Sequence, residues 1–393
     1  MKPPISTTRR TTRRATRGKA PASSQALPEY PADTTFATRL IAWQTVHGRN
    51  DLPWQNTRNP YRIWLSEIML QQTQVGTVIP YYLKFLEHFP DVASLARADE
   101  DDVLRLWSGL GYYSRARNLH RAAQQVMEVH GGKFPEQREL LEALPGLGRS
   151  TAAAIAAFAF EAREAILDGN VKRVLARHFA VAGFPGDGKV AEQLWARAES
   201  LLPERGVARY TQALMDLGAT VCTRKPECDR CPVKDTCVAL AQDNVLGFPS
   251  PRPRKAVPER ETVMLILMRE DEILLEKRPG TGIWGGLWSF PEVEGKVATE
   301  ADVEVACAER FGCKLMKTER LAPFAHTFTH FRLQITPLLC SVGKPRPGVQ
   351  SGGTLWMTPN DAEKAAVPTP VRKLLKQLES GFSPFSLGEK GRG

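Results

Sequence analysis

Leu144-Pro145-Gly146-Leu147-Gly148-Arg149-Ser150-Thr151, continuing through an Ala-rich run to Phe160 and then to Ile166-Leu167-Asp168-Gly169-Asn170, decides the reading of this chain. A polar stretch of good helix formers precedes it and Pro145 stops that helix. Two glycines stand one residue apart, where positive φ or close backbone approach is needed. An apolar helix follows at once. The result is helix, hairpin turn, helix, and the unpaired amides opening the second helix suit an anion such as a nucleic-acid phosphate. On these residues alone a phosphate-binding hairpin and a plain interhelical turn are equally good readings.

Outward from the hairpin the chain reads as helical up to about residue 240. Patterning starts near Asp33–Phe36 and runs from Tyr61 to Phe89 with a break at Gly76. It recurs at 99–107, 113–130, 136–143, 150–161, 170–180, 189–201 and 206–220. Residues 241–260 include the Pro-rich basic stretch GFPSPRPRKAVP and read as a linker. Beyond it the period becomes that of strands, at Thr262–Met268, Ile273–Lys277 and Phe331–Leu339, with one helix at Glu300–Phe311. The expected fold is an all-α helix-hairpin-helix domain with a cysteine loop over 33–240, then a separate α+β domain over 261–378. Residues 1–32 read as a disordered basic arm and 379–393 as a disordered tail.

The 393 residues are 42% hydrophobic and 24% charged, a globular composition, and no apolar run is long enough to cross a membrane. The net charge of +10 favours a polyanionic partner. The first 28 residues hold seven basic side chains and no acid, so the rest of the chain carries only +3. That arm is suited to holding nucleic acid weakly.

Two carboxylates stand out. Glu67 is the only charged side chain between Arg62 and Lys84, within Ile63–Leu70. In apolar surroundings its pKa rises and it can serve as a general acid; on the solvated stripe of a helix it does nothing of the kind. Asp168 precedes a helix, where it is either an N-cap or a charge stabiliser. Two carboxyls in unlike settings supply both an acid and an anion, as in glycosidases. Cys222, Cys228, Cys231 and Cys237 are spaced C-x5-C-x2-C-x5-C. That run has a single C-x2-C knuckle, which suits a cubane iron–sulfur cluster somewhat better than zinc, with unliganded thiols as the third reading. Gly282–Glu292 is aromatic and Gly-rich, and core packing accounts for its tryptophans. Phe328-Thr329-His330 is, on its own, an ordinary loop.

Taken together, SEIMLQQTQV, GLGYYSRARNL, LPGLGRSTAAAI, ILDGNVKRVLAR and MDLGATVCTR, in that order and followed by the remaining cysteines, closely resemble the MutY-type adenine DNA glycosylases of the helix-hairpin-helix superfamily. The resemblance covers roughly residues 33–370. It implies excision of adenine mispaired with 8-oxoguanine, more slowly with guanine, from double-stranded DNA, with at most weak lyase activity. Base flipping is then required, because the glycosidic bond is inaccessible in a stacked duplex. The resemblance makes Glu67 the acid that protonates the flipped adenine at N7. Asp168 becomes the carboxylate that stabilises the oxocarbenium-like sugar, and Asn170 helps position the nucleophile. Gln72 and Thr73 match residues that wedge beside 8-oxoguanine, and Tyr112 an intercalating aromatic. Trp54 and Gln212 match the lining of the adenine pocket. Gly146 and Gly148 match the hairpin glycines at the phosphate, and the four cysteines match ligands of a [4Fe–4S] cluster. A cytoplasmic, nucleoid-associated monomer is implied.

The α+β part resembles a MutT-like Nudix domain. Where a Nudix helix carries its paired acids this chain has Val305–Gly312, with Glu309 alone remaining, so no nucleotide hydrolysis is expected. The family uses this domain to recognise 8-oxoguanine, and Phe328-Thr329-His330 matches its Phe-Ser-His loop with Thr for Ser. A second departure is the first cysteine interval, five residues here and six in the family. The alternative within the superfamily is an endonuclease III-like glycosylase and lyase, which places a lysine nucleophile where this chain has Ser150. The alternative outside it is a non-catalytic damage-binding protein.

Overall fold

The computed structural model describes residues 35–253, 256–294, 299–344 and 353–379. The expected arm at 1–32 and nearly all of the expected tail lie outside the described residues.

Helices α1 (Phe36–His47), α2 (Pro60–Leu70), α3 (Val75–His88), α4 (Val92–Arg97), α5 (Glu100–Trp107), α6 (Ser114–His130), α7 (Arg138–Glu142), α8 (Arg149–Phe160), α9 (Gly169–His178), α10 (Gly188–Ser200), α11 (Val207–Thr220) and α12 (Val238–Ala241) build the first part. Their starts follow capping chemistry. Thr35 accepts from the Thr38 amide, Asn59 from that of Arg62 with Pro60 in the first turn, and Asp168 from that of Val171. The break in the second helical stretch falls at Gln71–Gln74, not at Gly76, which lies inside α3. Gln72 takes a positive φ of 57° there, a left-handed residue that ends α2.

Two apolar clusters hold this part together. One centres on Trp64, Trp107, Tyr82 and Phe85. The other packs α1, α9 and α11 through Leu40, Trp43, Val174, Leu175, Leu214 and Leu217. Small residues let α8 approach closely, with Ala152, Ala153, Ala156 and Ala157 fully buried.

The second part is a mixed sheet. Strand β1 (Glu259–Arg269) runs parallel to β7 (Arg332–Val342), with Thr262 opposite Ile335. Strands β2 (Glu272–Lys277) and β4 (Glu292–Glu294) pair antiparallel with β1, β3 (Trp288–Ser289) and β8 (Thr354–Met357) with β2, and β5 (Leu315–Arg320) and β6 (Phe324–Thr327) with β7. Alternation along β1 divides the domain into layers. Val263, Leu265 and Leu267 pack with Val303, Cys307 and Phe311 of α13 (Glu300–Phe311). Met264 and Ile266 face the other way, toward α14 (Pro359–Lys364) and α15 (Thr369–Glu379), where Ala362, Val371, Leu374 and Leu375 are buried.

That second layer also packs against the helical part. Its apolar cluster is continuous with that of the helical part. At the seam Lys277 meets Asp101 at 2.7 Å, Arg117 donates to the Gly285 carbonyl, and Arg372 donates to Ser108 Oγ at 2.9 Å. The linker is also shorter than its composition suggests. Arg177 Nε holds the carbonyls of Val245 and Phe248, and the Ser250 amide donates to Gly183, so the chain stays on the helical part to Ser250.

Candidate active site

A cleft of about 1430 Å³ opens among α2, α8, α9, α11 and the loop after α1. Glu67, Asp168, Asn170, Trp54, Gln212, Thr73 and Ser150 all line it. Glu67 enters from α2, one turn before its end. Asp168 and Asn170 enter from the first turn of α9, and Gln212 from α11. Trp54 is mostly core, stacked edge-on against Tyr82 with centroids 5.3 Å apart, and offers one edge to the cleft.

The two carboxyls sit in unlike fields. Burial, aided by the negative charge of Asp168, pushes Glu67 up to about 7. Burial raises Asp168 as well, but the amides of Val171 and Asn170 and the charges of Arg173 and Lys172 oppose it. The Val171 amide donates to Asp168 at 2.8 Å and Asn170 Nδ2 lies 3.5 Å from it. Asp168 is therefore an N-cap and a cleft carboxylate at once. The donors around it favour its anion, while both influences on Glu67 favour its acid form. Ser150 Oγ accepts from the Leu167 amide at 2.9 Å, which ties the start of α8 to the segment delivering Asp168.

The remaining expected site residues lie outside this cleft. Gln72 is exposed beside it, and Tyr112 is 45% exposed with a positive φ of 49°. Gly146 has φ 82°, and a Cβ there would stand 2.8 Å from Asn118 Cβ, so the turn itself requires glycine. Gly148 has an ordinary extended conformation and a Cβ there would meet nothing within 4 Å. Gly148 is the N-cap of α8, a position that glycine suits. Phe328 is an anchor rather than a free ring, stacked on Phe331 at 4.3 Å and set against Trp284 at 5.6 Å. Thr329 and His330 are exposed, and the hydroxyls of Thr329 and Tyr112 are 2.9 Å apart. That bond joins two stretches 217 residues apart in sequence.

Three groups escaped the sequence reading. Asp216 is fully buried and holds Arg49 through its backbone amide at 3.0 Å and its Nε at 2.8 Å, while Gln212 Nε2 donates to it at 2.9 Å. Arg49 and Gln212 both line the cleft, so one buried carboxylate orients two of its polar walls. Nothing in the sequence around Asp216 singles it out, since its Arg49 partner lies 167 residues away. Arg173 binds Asn170 Oδ1 at 2.8 Å and the Gly218 and Cys222 carbonyls at 2.6 and 2.8 Å. Arg115, buried beneath the end of α2, is the third.

All four clustered cysteines, with Arg177, line a small cavity of about 30 Å³. Burial pushes the Cys231 thiol up to about 12, and each neighbouring cysteine adds to the rise. Four thiolates can therefore share this space only around a positive centre. Arg177 Nη1 donates to Cys222 Sγ at 3.3 Å, the kind of contact that supports a thiolate ligand. Among the described residues no three Cys, His, Asp or Glu groups converge as ligands of one metal ion would. The four cysteines share the lining of that one cavity. The other three, Cys307, Cys313 and Cys340, are buried in the core between α13 and the sheet.

Residues 65–200 match the family described as HhH-GPD superfamily base excision DNA repair protein, and residues 262–377 match the NUDIX domain family. The chain is 36% identical over 346 residues to the adenine DNA glycosylase of Buchnera aphidicola subsp. Baizongia pistaciae, covering 88% of this chain and 97% of that protein. It is 34% identical over 418 residues to the adenine DNA glycosylase of Homo sapiens, covering 91% of this chain and 76% of that protein. Among solved structures, a thermostable thymine-DNA glycosylase overlaps 53% of this chain and 95% of its own, at 30% identity and a TM-score of 0.49. No helix among the described residues is long and apolar enough to cross a membrane.

Proposed function

The chain belongs to the adenine DNA glycosylases, base excision repair enzymes that hydrolyse N-glycosyl bonds, and from that premise we propose that it excises adenine mispaired with 8-oxoguanine, and more slowly with guanine. The observation that carries this reading is the pair of cleft carboxyls, one holding its proton to about pH 7 and the other surrounded by donors.

The flipped adenine enters the cleft against Trp54 and Gln212. Glu67, still protonated near neutrality, gives its proton to the base as the bond to the sugar lengthens. The electron pair leaves with adenine, and positive charge develops on the sugar. Asp168, held against the first turn of α9, stabilises that charge, and Asn170 beside it orients the incoming nucleophile. Gly146 and Gly148 bring the hairpin amides up to a backbone phosphate. Gln72, Thr73 and Tyr112 enter the duplex beside the lesion, and Thr329 and His330 reach it from the second domain. Cys222, Cys228, Cys231 and Cys237 would hold a [4Fe–4S] cluster, which would supply the positive centre their thiolates need and brace the loop. The enzyme acts as a monomer on double-stranded DNA.

Ser150 cannot form a Schiff base, and its hydroxyl is already engaged by Leu167, which supports base removal with at most weak strand scission. Borohydride trapping should cross-link little protein to DNA; yields like those of a lyase would reject this. In the second domain Glu276 is paired with Arg310 and Glu292 with Arg278, which argues against a cation-binding acid cluster. Incubation with 8-oxo-dGTP should give no monophosphate. The principal assay compares adenine release from A:8-oxoguanine, A:G and A:T duplexes by the wild type and by Glu67→Gln. Ordered rates that collapse in the variant, with DNA binding retained, support the reading; equal rates on A:T overturn it.

A further inference from the structure

Arg115 is 8% exposed and has no carboxylate among its hydrogen-bond partners. Its Nη1 donates to the carbonyls of Ile68, Met69 and Gln71 at 2.9, 2.8 and 2.7 Å, the acceptors left over where α2 ends. Its Nη2 donates to Thr73 Oγ1 at 3.1 Å and to the Leu110 and Gly111 carbonyls at 3.3 and 3.2 Å. The guanidinium also lies 5.3 Å from the centroid of Trp107 and 5.5 Å from that of Tyr112.

The two segments so joined share a feature. Each carries a non-glycine residue in the left-handed region, Gln72 at φ 57° and Tyr112 at φ 49°. L side chains adopt that conformation only where the surroundings fix it. Among the described residues, the hydrogen bonds of Arg115 beyond the end of α2 all go to these two segments. Its charge is met by the partial negative charge of the α2 terminus instead of by an acid. A lone carbonyl cap would not need so costly a group, because a buried charge without a counter-charge is expensive. A planar fork with donors on two nitrogens is what bridging two backbones requires, and lysine, with one nitrogen, cannot do it.

We propose that Arg115 is a positioning residue that sets the loop Gln71–Thr73 and the loop Leu110–Tyr112 in fixed register before DNA arrives. Through the Tyr112 hydroxyl it extends that register to Thr329 in the second domain. The parts that examine the duplex are thus presented as one rigid edge, with Glu67 one turn back along the same helix. This rests on the proposed reading of Gln72, Thr73 and Tyr112 as DNA contacts.

The test uses the full-length protein with duplexes carrying a non-cleavable 2′-fluoro-adenosine opposite 8-oxoguanine or thymine, together with single-turnover adenine release. Arg115→Lys should lose about 10-fold of the preference for the mispaired duplex and a similar factor in release. Its affinity for the matched duplex should stay within about 2-fold of wild type. In a Thr73→Ala/Tyr112→Ala background the same substitution should change preference by less than about 2-fold. A lower Tm with unchanged preference, or an equally large effect in that background, overturns the proposal. On the wild-type protein alone, native-state hydrogen exchange should show 71–73 and 110–112 opening together; independent opening also overturns it. A wild type without preference for the mispair would instead count against the proposed function.

Discussion

Glu67 and Asp168 face the same cleft, yet only Asp168 is set among hydrogen-bond donors and positive charges, and the different roles proposed for them rest on that difference. Folded Glu67 binds its proton more tightly than the unfolded chain does. Its contribution to stability is therefore full below about 4.5 and is lost as pH rises through about 7. Single-turnover base release should fall on the same rise, with a midpoint near 7, since the acid form is the reactive one. Glu67→Gln should lower release by about 100-fold or more. At pH 8 it should nevertheless be more stable than wild type by about 1–2 kcal/mol, after allowance for the partial exposure of the residue. Denaturant unfolding at pH 5 and pH 8 checks the sign. Asp216→Ala removes the partner of Arg49 and Gln212 and should cost about 3 kcal/mol, since it leaves a half-buried guanidinium unpaired. Adenine release should fall with it, and a stable variant of normal activity would show that the pair is dispensable. The two cleft carboxyls were legible in sequence because each stands beside an apolar run. Asp216 and Arg115 were not, because their partners lie 167 and up to 47 residues away.

At the scale of elements, α9 connects the cysteine loop to the cleft. Its first residues carry Asp168 and Asn170, and Arg173 and Arg177 one and two turns later hold Cys222. The close approach that permits this depends on Gly218 of α11, where a Cβ would lie 2.6 Å from Asn170 Cβ. Gly218→Ala should therefore destabilise the protein by about 1–3 kcal/mol through overpacking. It should also displace Asn170, slowing base release more than it weakens DNA binding. Thermal melts with single-turnover kinetics separate the two effects. Most helices were readable, α13 to the residue, because periodicity and caps agree. The α2–α3 boundary was not. Gly76 looks like a breaker, but the chain turns at Gln72, a left-handed residue whose neighbours Gln71 and Thr73 are both held by Arg115, a partner more than forty residues away. Strands β5, β6 and β8 were likewise hidden, since their faces are only partly buried and do not alternate cleanly.

At the scale of the whole molecule, the two parts share an apolar cluster that includes the fully buried Leu287, next to Gly286, which abuts Glu100, Leu104 and Arg117 of the helical part. The intact chain should unfold in a single calorimetric transition. Leu287→Ala should cost about 2–5 kcal/mol and split that transition in two. Two transitions in the wild type would mean that the domains fold independently. The seam could not be read from composition, because the apolar residues that form it are indistinguishable from those of either core. The linker, fastened at Ser250 and again where β1 begins at Glu259, limits how far apart the parts can travel. A tether this short acts as an effective concentration in the millimolar range. A contact of only about 4 kcal/mol, which two free proteins would scarcely register, is then made roughly half the time. With the DNA contacts proposed on both halves, each can be weak and the pair still let go seldom, since whichever half releases first remains at high local concentration beside the site it left.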